Sequence, residues 1–407
     1  MKTGHTPSRA KPEYWDNATI PWFTLADVWQ LRDGRAVYLG DTKNRISELG
    51  LVNSAAELLP AGTVVLSRTA SVGFSGIMPI PMATSQDFWN WVCGPELLPE
   101  FLNYQFKAIA PVLRSLNMGS THQTIYQRDA ASIEILVPPL PVQRAIVRYL
   151  DHETARIDTL IGEQQKLIEL LEERRESVVD LILVDQGLRI PERFEDYSSG
   201  LPEGWRVILL GRALRQLTNG FVGPTRDILV EDGVRYIQST HIKSGRIDFA
   251  RRPFYVSRAW HEERPRIHLH PGDVLIVQTG DIGKVAVVPP DFGEASCHAL
   301  QIARTRPEIV SGEYLGAFLS SRLGYQSLLA RATGALHPHL EAGIRNVPIV
   351  VPPIDVQAQI VRQMYEQTLK IDTLIAESQR FIELAQERRA ALITAAVTGQ
   401  VDVREVA

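Results

Sequence analysis

Two short polar turns carry side chains that can hydrogen-bond to the edges of nucleic-acid bases. The segment GTVVLSRTASVG begins at Gly62, and the related segment GDVLIVQTGDIG begins at Gly272. In each, an apolar run typical of a β-strand leads into a polar turn and a return strand. Arginine and glutamine suit two-bond contacts to guanine and adenine, respectively. We therefore predict base contacts from Arg68, Thr69 and Ser71 in the first turn and from Gln278, Thr279 and Asp281 in the second. Ordinary turn residues exposed to solvent are the alternative.

A second group of candidates lies nearer the end of each half, where the segment at Gly119 aligns with the segment at Gly334. Its predicted base contacts are His122, Gln123, Thr124, His337 and His339, although a single histidine is often a structural group. Basic residues elsewhere suit phosphate contacts, which position a protein without specifying sequence. These candidates are Arg9, Lys11, Arg226 and Lys243, with a solvated surface as the alternative.

The charge distribution gives only modest support for a nucleic-acid partner. The chain has 43 Lys and Arg against 47 Asp and Glu, for a net charge of −4. Residues 201–350, however, carry 18 basic against 14 acidic residues, and seven of the ten histidines. This part of the chain could face phosphates, but an excess of this size is not a strong basic field.

The elements that position these candidates are duplicated. The stretch VPPLPVQRAIVRYLDHETARIDTLIGEQQKLIELLEERR from Val137 recurs from Val351 as VPPIDVQAQIVRQMYEQTLKIDTLIAESQRFIELAQERR. A repeat period above two hundred residues is too long for a solenoid. The duplication indicates two related half-molecules, each a variable body followed by one long helix.

The duplicated stretches predict two long helices that pair with each other. Prolines place their starts near residues 142 and 356, with Asp355 as an N-cap, and Gly187 and Gly399 mark their ends. Apolar residues recur at steps of three and four, which favours a helical partner, and the other copy is the best match in the chain. We predict antiparallel packing. The predicted seam residues are Ile157, Leu160, Leu167, Leu171, Ile371, Leu374 and Phe381.

The predicted fold class is α+β, with two bodies that contain curved β-sheets and two long helices packed as an antiparallel coiled coil. A pseudo-twofold axis is expected to relate the halves. The predicted divisions are a first body at 1–141, a first helix at 142–186, a linker at 187–200, a second body at 201–355, a second helix at 356–400 and a tail at 401–407.

Several kinds of enzyme are disfavoured by the sequence. No Asn-Pro-Pro-Tyr segment, GxGxxG loop or P-loop spacing is found, and no His or Cys spacing indicates a metal site. The two cysteines give no disulfide framework. No apolar run is as long as a membrane span, so we expect a cytoplasmic protein with no membrane partner.

The paired VPPLPVQ and VPPIDVQ segments, the two IDTLI helices ending in ERR, the strand pair GDVLIVQTGDIGKVAVV and the PEGW segment at Pro202 resemble the DNA-specificity subunit of type I restriction-modification systems. The similarity covers nearly the whole chain. It implies two target-recognition domains that each read one half of a split, asymmetric site in double-stranded DNA. It also implies docking of two methyltransferase subunits and of restriction subunits with translocase and nuclease activity.

The same resemblance implies that catalysis and its cofactors, S-adenosylmethionine, ATP and Mg, belong to the partner chains and not to this one. Two other hypotheses stay open. One is the recognition component of a fused or type II-like restriction-methylation enzyme. The other is a coiled-coil adaptor that binds only protein.

The two halves differ at their start. The second body opens with LPEGWRVILLGRALRQLTNG, whereas MKTGHTPSR of the first aligns only with TNGFVGPTR. The first body therefore lacks a counterpart of residues 201–216. Two explanations are open: either the true start lies upstream, or the first domain has lost an opening strand and the edge of its sheet must be covered in another way.

Overall fold

The computed structural model describes residues 1–115, 124–188, 200–243, 245–250, 252–333, 339–340 and 343–403. The chain divides into two compact units. The first unit contains Met1–Lys166 and Ser378–Ala407, and the second contains Leu167–Glu377. Each unit thus holds one body and parts of both long helices, so the helices predicted as separate divisions are shared between the units.

In the first unit, two small sheets are covered by short helices. The strand orders are β1-β7-β4-β5 and β3-β2-β6. The strands are β1 (Lys2–Thr3), β2 (Ile20–Phe23), β3 (Asn44–Ile46), β4 (Val64–Ser67), β5 (Ser75–Ile77), β6 (Ala83–Thr84) and β7 (Phe88–Trp91). The helices are α1 (Glu48–Val52), α2 (Pro99–Ser115), α3 (Gln127–Ala131) and the long α4 (Leu140–Asp185). Val64 and Leu66 of β4 share a core with Leu102 and Phe106 of α2, and Val65, on the opposite face of the strand, packs in a second core.

The second unit repeats this plan with more strands. The sheet β16-β15-β18-β9 has the same order as β5-β4-β7-β1 of the first unit, and β10-β14-β11-β17 forms a second sheet. The pairs β12-β13 and β19-β8 complete the body. The strands are β8 (Arg206–Leu209), β9 (Leu214–Asn219), β10 (Leu229–Val230), β11 (Val234–Ile237), β12 (Ile242–Lys243), β13 (Arg246–Ile247), β14 (Tyr255–Val256), β15 (Val274–Val277), β16 (Val285–Val287), β17 (Ala295–Cys297), β18 (Leu300–Thr305) and β19 (Pro348–Val351). The helices are α5 (Leu210–Ala213), α6 (Arg258–Glu262), α7 (Gly312–Ser320), α8 (Arg322–Leu329) and α9 (Ile354–Val397).

The long helices α4 and α9 begin two residues earlier than predicted. Pro141 fits inside the first turn of α4, because that turn needs no backbone N–H donor at this position. Asp355 lies in the first turn of α9. The prediction that Asp355 is the N-cap is therefore wrong, although a carboxylate in this turn still complements the helix dipole.

The helices α4 and α9 both end just before a glycine, as predicted from the sequence. Gly187 and Gly399 have φ angles of 87° and 73°, a conformation that glycine adopts without steric cost. The N–H of Leu188 donates to the Leu183 carbonyl at 3.0 Å, and the N–H of Gln400 donates to the Ala395 carbonyl at 2.8 Å. These are Schellman motifs, which satisfy carbonyl groups at a helix end.

The helices α4 and α9 pack together in antiparallel fashion, which confirms the predicted arrangement. In the first unit, Ile146 near the start of α4 shares a core with Ile393 and Val397 near the end of α9. In the second unit, Ile182 near the end of α4 shares a core with Ile360 near the start of α9. The α+β class is also confirmed.

The seam between the helices is narrower than predicted. Ile157, Leu171 and Ile371 are buried, as expected for seam positions. By contrast, Leu160, Leu167, Leu374 and Phe381 are 40–47% exposed, so their assignment to the seam is wrong. A helix pair buries one stripe of each helix, and these four side chains lie on the outer part of a wider apolar stripe.

Candidate nucleic-acid interface

The first polar turn, residues 68–73, connects β4 and β5. The N–H of Ser67 donates to the Phe74 carbonyl at 2.8 Å, and the N–H of Gly73 donates to the Ser67 carbonyl at 3.0 Å. Ala70 and Gly73 have φ angles of 58° and 86°. These bonds close the turn and leave Thr69 and Ser71 partly exposed at its tip.

Arg68 stands at the start of this turn and is held by a tryptophan of the adjacent strand. Its guanidinium carbon lies 4.4 Å from the ring centroid of Trp89. The Trp89 indole N–H donates to the Ile125 carbonyl at 2.9 Å, and the Ile125 N–H donates to the Arg68 carbonyl at 2.9 Å. The cation–π contact orients the guanidinium while Arg68 remains partly exposed, so it keeps access to a ligand.

The second polar turn, residues 278–283, connects β15 and β16 with the same backbone bonds. The N–H of Val277 donates to the Lys284 carbonyl at 2.9 Å, and the N–H of Gly283 donates to the Val277 carbonyl at 3.0 Å. Thr279 and Asp281 are exposed at the tip. Asp281 also accepts a hydrogen bond from Lys284 at 2.6 Å, so both charges stand at this turn.

Gln278 departs from the prediction that it contacts bases. Its side chain is only 4% exposed. Its amide nitrogen donates to the Ala299 carbonyl at 3.1 Å, and its amide oxygen accepts from the Gln301 amide nitrogen at 2.7 Å. With both ends of the amide bonded inside the body, Gln278 has a structural role in this conformation, and the prediction is corrected.

The strand registers place Arg68 and Trp89 of the first unit in positions equivalent to those of Gln278 and Gln301 in the second. Leu66 pairs with Trp89 across β4 and β7, and Ile276 pairs with Gln301 across β15 and β18. Arg68 follows Leu66 by two residues, and Gln278 follows Ile276 by two residues, so the two turns begin at equivalent positions. The Arg68–Trp89 contact in the first unit is replaced by the Gln278–Gln301 hydrogen bond in the second.

The structure brings each polar turn together with a second predicted candidate. Thr69 forms an isolated antiparallel bridge with Thr124. In the second unit, the Thr279 hydroxyl lies 3.0 Å from His339 Nδ1. These contacts join candidates about 55 to 60 residues apart in sequence, so each polar turn lies beside one described residue of the second group.

The positions of the predicted phosphate-contact residues do not distinguish DNA binding from simple exposure to solvent. Arg9, Lys11, Arg226 and Lys243 are exposed, as a phosphate contact requires, but a solvated surface has the same exposure. Lys11 also donates to the Tyr14 hydroxyl at 3.1 Å, a bond that raises the pKa of the lysine. The predicted residues His122, Gln123 and His337 lie outside the described residues.

An aspartate held by two arginines ties the first body to the long helices, although no sequence pattern predicted this contact. Asp158 of α4 accepts from Arg389 of α9, with 3.0 Å between Nε and Oδ1. Nε of Arg35, in the body, lies 3.6 Å from the same carboxylate. The side chains of Asp158 and Arg389 are 18% and 12% exposed, so this ion pair is only weakly screened by water.

The second unit contains the same arrangement with the helices exchanged. Asp372 of α9 pairs with Arg175 of α4 at 2.8 Å and with Arg246 of the body at 2.6 Å. Arg35 and Arg246 each follow a glycine with positive φ, 69° at Gly34 and 78° at Gly245. The only shared sequence pattern at these arginines is a Gly-Arg dipeptide. It is too short to predict the ion pairs unless it is considered together with the aspartates of the two IDTLI segments.

A buried glutamine at the start of each long helix forms a second matched contact. Gln143 donates to the carbonyls of Glu96 and Pro138 at 2.8 and 2.7 Å and accepts from the Leu98 N–H at 2.9 Å. Gln357 makes equivalent bonds at 2.9–3.0 Å. Its partners are the Ile309 carbonyl, the Pro352 carbonyl and the Ser311 N–H. Both glutamines come from the repeated VQ of the sequence, and each fixes a body on its helix.

The part of the chain that the structure describes shows neither a metal site nor a membrane-spanning helix. No cluster of three or more His, Cys, Asp or Glu side chains able to hold a metal ion occurs there. No helix in the same residues is long and apolar enough to cross a bilayer.

Comparison with known proteins agrees with the architecture. Residues 1–170 match the family model for the type I restriction modification DNA specificity domain. The MjaIX type I restriction enzyme specificity subunit of Methanocaldococcus jannaschii is 23% identical over 413 residues, or 99% of this chain and 91% of the relative. The EcoBI specificity subunit of Escherichia coli is 23% identical over 301 residues, covering 70% of this chain and 62% of the relative.

Solved structures share the fold. A chain from a study of assembly and conformational transition of the type I R-M system has a TM-score of 0.68 and 17% identity, with 98% of this chain and 95% of that chain covered. The HsdS subunit from Thermoanaerobacter tengcongensis has a TM-score of 0.53 at 17% identity over the same shares. The resemblance inferred from the sequence is thereby confirmed: residues 1–170 match the DNA specificity domain of type I restriction-modification systems, and the chain is similar over 99% of its length to a specificity subunit of such a system.

Proposed function

We propose that this chain is the non-catalytic subunit that reads a split, asymmetric DNA sequence for a type I restriction-modification complex. The observation that carries the proposal is the pair of polar turns, which share a backbone but present different side chains. Arg68, Thr69 and Ser71 would read one half-site, and Thr279 and Asp281 the other. Because the two turns share a backbone conformation but carry different side chains, we expect the two half-sites to differ in sequence.

The helices supply a surface for partner subunits. Leu160, Leu167, Leu374 and Phe381 are large apolar side chains on α4 and α9 that are 40–47% exposed. Exposed apolar residues at helical spacing favour contact with further helices. We propose that two methyltransferase subunits dock there, with restriction subunits joining the complex in the cytoplasm. S-adenosylmethionine, ATP and Mg would be bound by those partners.

Single-molecule methylation sequencing tests the proposal. DNA from cells that express this chain with its neighbouring methyltransferase gene is compared with DNA from cells that lack only this chain. A split motif with methylated adenines in both halves, present only with this chain, is the expected result. A soluble complex with the methyltransferase that neither binds nor methylates DNA would favour the protein-only adaptor.

The spacing between half-sites provides a second test. Deleting about one heptad after Ile157 together with the matching heptad after Ile371 removes ~10 Å of helix. We expect a shorter gap in the methylated motif and unchanged half-sites. An unchanged gap would contradict the role of the helices as a spacer.

A further inference from the structure

In the second body, the loop 219–223 lies at the same end of the sheet as the second polar turn. Asn219 is opposite Gln301 across β9 and β18, and Gln301 is opposite Ile276 across β18 and β15. Neighbouring strands are ~4.8 Å apart, so the loop lies about 10 Å from the start of the turn. The major groove of B-DNA is ~12 Å wide, so the loop and the turn can contact the same groove.

Two hydrogen bonds join this loop to the base of the polar turn. The Gln278 amide nitrogen donates to the Ala299 carbonyl at 3.1 Å, and the Ala299 N–H donates to the Phe221 carbonyl at 3.0 Å. Ala299 has a φ angle of 47°, a conformation that is uncommon for a residue other than glycine. The buried glutamine therefore helps to position the loop, although its own side chain does not face outward.

The backbone before Val222 is fixed by close packing. A Cβ atom at Gly220 would lie 2.6 Å from the Cys297 carbonyl oxygen, so only glycine fits there. The Phe221 ring lies 5.2 Å from the Trp260 ring at an angle of 81°, which is an edge-to-face contact. Val222 follows these anchored residues and is nevertheless 68% exposed, so the body holds an apolar side chain out to solvent at a defined place.

The equivalent position in the first body is polar. Counted from the strand registers of β1 and β9, Thr6 occupies the place that Val222 has in the second body. The Thr6 hydroxyl donates to the Gln86 side-chain oxygen. The two bodies thus carry different side chains at equivalent positions, as they do in the polar turns.

We propose that Val222 contacts the 5-methyl group of a thymine in the half-site read by the second body. This inference rests on the proposed function and adds a specificity residue to it. Among the base edges of the major groove, thymine presents a methyl group, and apolar side chains pack against it. Arg226, four residues later and exposed, can contact a phosphate next to this base. A single exposed apolar residue is ordinary on a protein surface, but Val222 lies beside candidate base contacts on a fixed backbone.

Replacing thymine with uracil removes this methyl group and leaves every hydrogen-bonding group of the base in place. The full chain, in complex with its methyltransferase subunits, is titrated with labelled duplexes of its target in which each thymine in turn is replaced by uracil. We expect about fourfold weaker binding for replacement of a thymine in one half-site, as loss of one buried methyl group implies. In Val222→Ala, the duplexes with thymine and with uracil at this position should bind equally.

Val230→Ala is the matched control. Val230 is 41% exposed on β10, the edge strand of the other sheet of the same body. This variant should keep the difference between thymine and uracil. Because Val222 is exposed as well, neither replacement should change the unfolding midpoint, which checks that both variants are folded.

The outcomes separate this inference from the proposed function. Sequence-specific binding in which no thymine methyl group matters would overturn the inference and leave the proposed function intact. A difference between thymine and uracil that persists in Val222→Ala would have the same meaning. Absence of sequence-specific binding by the complex would overturn both.

Discussion

The two polar turns differ most in the pair of side chains beneath them. In the first unit the Arg68 guanidinium lies 4.4 Å from the Trp89 ring, and in the second the Gln278 amide bonds to Gln301 at 2.7 Å. The strand registers place these pairs in equivalent positions. Both members change together, as expected for neighbours whose energetic effects are coupled. The residue at the start of the turn is therefore defined by its cross-strand partner as much as by its own chemistry.

The difference also changes which residues face outward. Arg68 is partly exposed and can present its guanidinium, whereas Gln278 is buried with both amide atoms bonded. Thr279 and Asp281 are then the first side chains of the second turn that a ligand meets. Equal sequence positions in the two bodies do not contribute equally to the candidate interface.

The largest effect is expected where the two units are most alike, at the buried glutamines. Replacing Gln143 or Gln357 with leucine leaves buried backbone donors and acceptors without partners, which we expect to cost roughly 3 kcal/mol in the affected unit. Hydrogen exchange should show faster opening of the first unit in Gln143→Leu and of the second unit in Gln357→Leu. If either variant increased exchange equally in both units, the idea that each glutamine stabilises only its own unit would be wrong. Gln400→Leu, at an exposed position, is the control.

The aspartates between arginines should give a somewhat smaller effect. Asp158→Asn and Asp372→Asn remove the charge that Arg389 and Arg35, or Arg175 and Arg246, share. We expect each change to lower the free energy of unfolding by roughly 2 kcal/mol, since the ion pairs are only partly exposed. Urea unfolding checks this value, and Asp41→Asn, at an exposed ion pair, should change stability by less than about 1 kcal/mol.

The comparison is tested by replacing Arg68 and Trp89 with the glutamines found at the equivalent positions, Gln278 and Gln301. Arg68→Gln with Trp89→Gln should alter base preference in one half-site by roughly tenfold, because loss of one two-bond base contact has about this effect. The other half-site should be unaffected. Methylation sequencing and unfolding midpoints together separate altered specificity from misfolding, and Trp89→Gln alone should be less stable than the double variant. Equal changes in both half-sites would contradict the assignment of one turn to each.

The smallest effect concerns Lys107, a buried lysine of the first unit. Lys107 donates to the carbonyls of Gly34 and Ala36 at 2.9 and 3.0 Å, and burial, helped by the positive charge of Arg389, lowers its pKa from 10.5 to about 8. Since the unfolded chain binds this proton more tightly, the free energy of unfolding should rise as pH increases from about 8 to 10.5. The rise should be below about 1 kcal/mol between pH 7.5 and 8.5.

Urea unfolding at these two pH values, compared between the unsubstituted chain and Lys107→Met, checks the contribution of Lys107. The rise should be missing from the variant. Lys43→Met, at an exposed position, should retain it. A rise of the same size in both variants would assign it to other groups.

The sequence predicted the helices well because their signals are local and repeated. Apolar periodicity, terminal glycines and the duplication together indicated two antiparallel partners. The burial of Gln278 was missed because it depends on Gln301, on another strand, and the exposure of Leu160 and Phe381 was missed because periodicity does not say how much of a stripe is covered. Arg35 and Arg246 were missed because two residues carry too little pattern.

The division of the chain into units has a consequence for its synthesis. The second unit is continuous, from Leu167 to Glu377, whereas the first needs Met1–Lys166 and Ser378–Ala407 together. As the ribosome releases the chain from its N-terminus, the second unit can close while the first still lacks Ile393, Val397 and Val403 from its core. The part made first is therefore completed later than the second unit, and its apolar surface stays open to chaperones or to aggregation until Ser378–Ala407 emerge.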